Sequence, residues 1–85
     1  NYPNPFNSVT RIPYELPVAG RVEVTVFDML GREVVRLVDE VKGRGRWESA
    51  WNGTDSAGRR VGSGIYFYRL QAGASSLQGR MLLLQ

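Results

Sequence analysis

The sequence predicts an all-β fold, an antiparallel sandwich of six or seven strands. Three observations carry this. Short segments of alternating apolar and polar residues recur, with turn signals about every 8–12 residues. Ten glycines and four prolines punctuate them. Val, Tyr, Phe and Trp, which suit pleated surfaces, dominate the segments. No helix-period segment of real length occurs, which excludes a parallel α/β sheet. The 85 residues are read as an extended lead-in over 1–8 and a single sandwich domain over 9–85. A chain of this size buries roughly 60–65% of its unfolded surface.

The lead-in NYPNPFNS is extended because each proline biases the residue before it away from helix. Val9 to Leu16 alternates, with Ile12, Tyr14 and Leu16 on one face. Pro13 donates no ladder hydrogen bond, so this strand lies at an edge or turns that nitrogen away from its neighbour. Pro17 to Gly20 turns. Arg21 to Asp28 is the clearest strand, with Val22, Val24 and Val26 on one side and Arg21, Glu23 and Thr25 on the other. Leu30-Gly31-Arg32 breaks it. In Glu33 to Asp39 the tetrad Val34, Val35, Leu37 and Val38 also fits a helical turn; length and β-branching favour a strand. Lys42 to Gly45 turns. Arg46 to Trp51 places Trp47, Ser49 and Trp51 on one face.

A glycine-rich stretch follows, with a seventh strand if Arg59 to Val61 pairs briefly. Ile65 to Ala72 is an aromatic strand, Gly73 to Ser76 turns, and Leu77 to Leu84 is the last strand. Val22, Val24, Val26, Trp51, Tyr66 and Leu83 are expected in the core.

Composition narrows the function. There is no cysteine and no histidine, which removes thiolate chemistry, disulfides and the commonest general base. Lys42 is the single lysine, and Glu15, Glu23, Glu33 and Glu48 fall at outward strand positions. No nucleophile with a base is in view. No apolar run approaches the roughly 20 residues of a membrane span, and no signal peptide opens the chain. Asn1 as first residue suggests a piece of something longer. Net charge is +3, but the cations are spread along strands. The two clusters, Lys42 to Arg46 and Arg59-Arg60, lie in turns without a recognition helix, so nucleic acid is not an expected partner.

The stretch from Asn52 to Gly64 admits several readings. A phosphate loop would feed a helix, whereas this one feeds a strand. A calcium site would draw on Asn52, Thr54, Asp55 and Ser56, of which one is a carboxylate. The favoured reading is a self-satisfied connection: Asn52 and Asp55 form Asx-turns, while Gly53 and Gly58 take positive φ. Asn52-Gly53-Thr54 also matches the glycosylation pattern, a frequent chance match. Trp47, Trp51, Tyr66, Phe67 and Tyr68 suit a sugar-stacking platform or, more readily, a core. No metal or cofactor is expected.

The motifs resemble a known family. Tyr2-Pro3-Asn4-Pro5-Phe6-Asn7 is similar to the "YPNPFNP" opening of C-terminal sorting domains of the bacterial type IX secretion system. The run from Val22 to Val34 resembles that family's "V-x-V-Y-D-x-x-G-x-x-V" block. Trp51 to Tyr66 resembles its "W-D/N-G-x-D-x-x-G-x-x-V-x-x-G-x-Y" block, which is shared with the immunoglobulin-like domain of flagellar hook-capping proteins. The final strand, Arg80 to Leu84, resembles the family's tail. Ser8 stands where the family usually has proline, Pro13 where it has a polar residue, and Gln85 where it commonly ends in Lys or Arg.

The resemblance implies an immunoglobulin/fibronectin-like antiparallel β-sandwich and a non-catalytic sorting or anchoring function. The implied partners are an upstream cargo domain of the same polypeptide and the outer-membrane secretion machinery, with the domain itself monomeric. The implied location is secreted or cell-surface, by way of the periplasm and outer membrane of a Gram-negative-type bacterium. The expected recognition residues are Leu77, Arg80, Met81, Leu82, Leu83, Leu84 and Gln85. A structural hook-cap domain and a carbohydrate-binding accessory module of a multidomain hydrolase are the alternatives.

Overall fold

The computed structural model describes residues 9–85, and the expected extended lead-in over 1–8 lies outside the described residues. The described chain forms six strands: β1 (Thr10–Leu16), β2 (Gly20–Phe27), β3 (Glu33–Lys42), β4 (Gly45–Trp51), β5 (Gly64–Ala72) and β6 (Ser75–Leu83). They build two antiparallel sheets, β1-β4 and β3-β2-β5-β6. The possible seventh strand is reduced to one bridge, Thr54 with Arg60. The last turn is tighter than expected. Gly73 and Ala74 alone connect β5 to β6, and Gly73 at φ +59° takes the first central place of a two-residue hairpin.

The core lies between the sheets. Ile12, Tyr14 and Leu16 of β1 and Trp51 of β4 face Val22, Val24 and Val26 of β2, Tyr66 and Leu70 of β5, and Met81 and Leu83 of β6. All six residues expected in the core are buried. Trp51 is the largest side chain wholly buried. It meets the Tyr66 ring edge-on, centroids 5.0 Å apart at 69°, a geometry that adds to the gain from area alone. Pro13 pairs with Glu48 in β1-β4, on a strand that has a single described neighbour, the edge position to which a proline in a sheet is confined.

The ambiguous tetrad in β3 has a structural cause. Val24 pairs with Val38 and Thr25 with Arg36, leaving Leu37 over; Val26 pairs with Val35 and Phe27 with Glu33, leaving Val34 over. Each extra residue is a bulge that shifts the phase of the strand. Val34, Val35, Leu37 and Val38 all become partly buried against the core as a result.

Trp47 keeps the expected phase, but it lies at the open end of its sheet and is 36% exposed. Its Nε1 donates to the Gly43 carbonyl (2.9 Å), and Lys42 Nζ lies 4.5 Å from its ring centroid. A hydrogen bond to Glu40 raises the Lys42 pKa. Trp47 thus straps the β3–β4 turn, and Trp51 is inaccessible, so the two tryptophans form no sugar platform.

Candidate functional site

The connection between β4 and β5 holds itself together. Asp55 Oδ1 accepts from the Ala57 and Arg59 amides at 3.0 and 2.9 Å. The Asp55 amide donates to the Arg59 carbonyl at 2.8 Å, and the Gly58 amide to the Asp55 carbonyl at 2.9 Å. Gly53 and Gly58 sit at φ +81° and +83°, as a left-handed turn requires. Both ends are pinned by aromatics. Trp51 Nε1 donates to the Thr54 carbonyl (2.8 Å), and the Tyr66 hydroxyl to the Gly62 carbonyl (2.7 Å). One expectation is corrected: Asn52 makes no Asx-turn bond here, and its Oδ1 accepts from the Thr54 hydroxyl (2.8 Å) instead. Of the oxygens considered for calcium, those of Asn52, Thr54 and Asp55 bond within the loop. Among the described residues no group of carboxylates is placed to hold a metal.

A second turn of the same build joins β2 to β3. Asp28 Oδ1 accepts from the Leu30 and Arg32 amides, each at 2.9 Å, and Gly31 takes φ +82°. The shared sequence is Asp-x-x-Gly-Arg-x-Val, at 28–34 and 55–61. That internal repeat is the signal by which Asp28 could have been found; sequence reasoning singled out Asp55 alone. Both carboxylates sit below their usual pKa, first because of the backbone amide of Arg32 or Arg59.

The structure sorts the seven residues expected in recognition. Met81 and Leu83 point inward and are buried in the core. Leu82 and Leu84 are 62% and 59% exposed, and Arg80 is also exposed. Leu77, opposite Leu70 in the first part of β6, is exposed. Gln85 is a clamp: its amide donates to Ser63 Oγ (2.8 Å), and its Nε2 to the carbonyls of Gly53 (3.0 Å) and Val61 (3.1 Å). Arg60 Nη1 donates to its Oε1 (2.8 Å). The end of β6 is thereby tied to the β4–β5 loop.

The sheet edges differ in kind. Open edges invite strand pairing, and charges, prolines and bulges discourage it. β1 carries Arg11, Pro13 and Glu15, and β4 carries Arg46 and Glu48. β3 is bulged and charged: Arg36 bridges Glu33 and Asp39 at 3.5 and 3.4 Å, and Asp39 also pairs with Arg21. β6 has one charge, Arg80, and ends in an apolar run on both faces. It lies at the open end of the four-stranded sheet.

Two sheets packed in this way define an immunoglobulin-like β-sandwich. A solved structure of FlgD from P. aeruginosa shares the fold at a TM-score of 0.70 and 24% identity, over 92% of this chain and 63% of that one. The chain thus spans less than two thirds of that relative. No curated protein matches the chain. Residues 1–83 match the family described as Secretion system C-terminal sorting domain, and the chain belongs to that family. Its function is accordingly that of a sorting domain of the type IX secretion system.

Proposed function

We propose that residues 9–85, preceded by the lead-in 1–8, act as one non-catalytic, monomeric unit that carries an upstream cargo domain across the outer membrane by presenting β6 to the secretion machinery. The route runs from the periplasm to the exterior or the cell surface. The observation that carries this reading is the contrast between edges: β6 alone among the described edge strands lacks a proline, a bulge or a pair of charges. A partner strand added there gains main-chain hydrogen bonds, with specificity from outward side chains such as Leu82.

The test is a fusion to an inert cargo in a bacterium with type IX secretion. Removing Met81 to Gln85 would take Met81 and Leu83 out of the core, so the informative change is Leu82→Glu, which leaves the core intact. Export should fall sharply for Leu82→Glu and stay normal for Glu23→Gln on β2. Normal export of Leu82→Glu, at an unchanged melting temperature, would refute recognition through this edge.

A further inference from the structure

The outer face of the four-stranded sheet carries cations that the fold does not use. Among its basic residues, Arg21 and Arg36 are paired with carboxylates. Arg69 of β5 and Arg80 of β6 have no carboxylate partner among the described residues. Arg69 is held in place, its guanidinium carbon 4.9 Å from the Phe27 ring centroid. Phe27, Phe67 and Arg80 stand in register as one row across three strands.

These residues, with Met29 and Gln78, line a groove of about 660 Å³. Asp28 also lines it, but its carboxylate is bonded to the Leu30 and Arg32 amides and to Arg32 Nε at 2.8 Å. The groove therefore presents an aromatic floor and two guanidinium groups, and it reaches the open edge at Gln78, Gly79 and Arg80.

An added strand would lie about 4.8 Å from β6, its alternate side chains on this same outer face. Those side chains would stand beside Gln78, Arg80 and Leu82. Resting on the sorting assignment, we propose that the partner is an extended protein segment of acidic and apolar residues. A carboxylate faces Arg80 and the neighbouring field of Arg69, and an aliphatic side chain covers Leu82. Charge complementarity selects the acidic residue, because a guanidinium–carboxylate pair beside an apolar floor is charge-assisted. The unguarded edge supplies the backbone pairing.

The probe is a short synthetic peptide of alternating threonines, with leucine and glutamate on its other face, and a counterpart with lysine for glutamate. Binding to the intact cargo fusion is followed by fluorescence titration at low and high salt. The acidic peptide should bind, weaken with salt, and lose roughly tenfold in affinity with Arg80→Glu, while the lysine peptide should gain on that variant. Equal binding of both peptides to the unaltered domain would overturn the inference. So would salt-sensitive dimers formed without peptide, or capture by phosphatidylglycerol vesicles in place of peptide. In the export assay the two readings separate: loss of export with Leu82→Glu but not with Arg80→Glu overturns the acidic partner and leaves sorting through β6 intact. Normal export with both variants overturns both.

Discussion

Asp28 and Asp55 occupy the same place in two copies of one turn, and the copies touch. Each carboxylate accepts from the amides two and four residues on. Each aspartate is followed three residues later by a glycine at φ +82° or +83°. The Ser56 amide then donates to the Val34 carbonyl at 3.1 Å, which joins the second turn to the strand leaving the first. One end of the sandwich is therefore built from paired, self-capped turns.

Replacing either aspartate by alanine leaves two amides without their acceptor. Asp55→Ala should lower the melting temperature by roughly 4–8 °C, the size of one lost cap in a domain of this length. Asp28→Ala should do the same, since it makes the same bonds. Calcium should not raise the melting temperature of the unaltered domain. A calcium-dependent rise abolished by Asp55→Ala would show a metal site instead.

Both aspartates titrate below their usual pKa of 3.8, first because of the Arg32 or Arg59 amide. A lowered folded-state pKa gives stability that is full above the unfolded value and is lost as pH falls through the folded one. The contribution of these turns should be level from neutral pH down to about 5 and decline below about 4. Asp28→Asn with Asp55→Asn should melt lower at neutral pH and show a shallower acid slope. Parallel acid profiles for the two proteins would contradict this.

Gly53 is fixed twice over. Its φ is +81°, and a β-carbon there would lie 2.5 Å from Gln85 Nε2 and 3.2 Å from Leu83 Cδ2. Gly53→Ala should cost about 1–3 kcal/mol and release Gln85 from the loop, seen as faster amide exchange around Val61. Gly43, with open space around it and no positive φ, should accept alanine with little change or a slight gain. Equal effects at the two sites would refute the distinction.

Trp51 combines burial with one polar bond. Trp51→Ala empties the centre of the core and should cost about 3–5 kcal/mol. Trp51→Phe keeps an aromatic against Tyr66 but loses the bond to the Thr54 carbonyl, so it should cost less and act mainly on the loop. Urea unfolding of the three proteins gives the order directly.

The strands were legible because their apolar residues alternate. Val22, Val24 and Val26 could face one way only, and Trp51 and Tyr66 followed from the same period. The bulges at Val34 and Leu37 were not legible, because a bulge is defined by its partner strand and leaves only a false helical spacing in its own. The Gln85 clamp was hidden for a related reason: its partners lie between 22 and 32 residues away. The exposure of Trp47 depends on where the facing sheet ends, which no local pattern records. On β6, Leu83 is legible as a core residue from its period, whereas the burial of Met81 on the same face needs the second sheet to be seen.

The strand order also governs how the molecule is made. β2–β3 and β5–β6 are near neighbours in the chain, but β1 closes on β4 around the first hairpin, and β2 waits for β5. Such distant pairings must overcome the entropy of closing long loops before they return any contact. They place folding in the slow, roughly millisecond-to-second range of all-β domains. Until the β1-β4 sheet packs over them, Val22, Val24 and Val26 are open to water. β6 joins the four-stranded sheet only through β5, so its edge takes this place once β5 pairs with β2. On the proposed reading, a receptor that binds this edge meets molecules in which β5 has already joined β2.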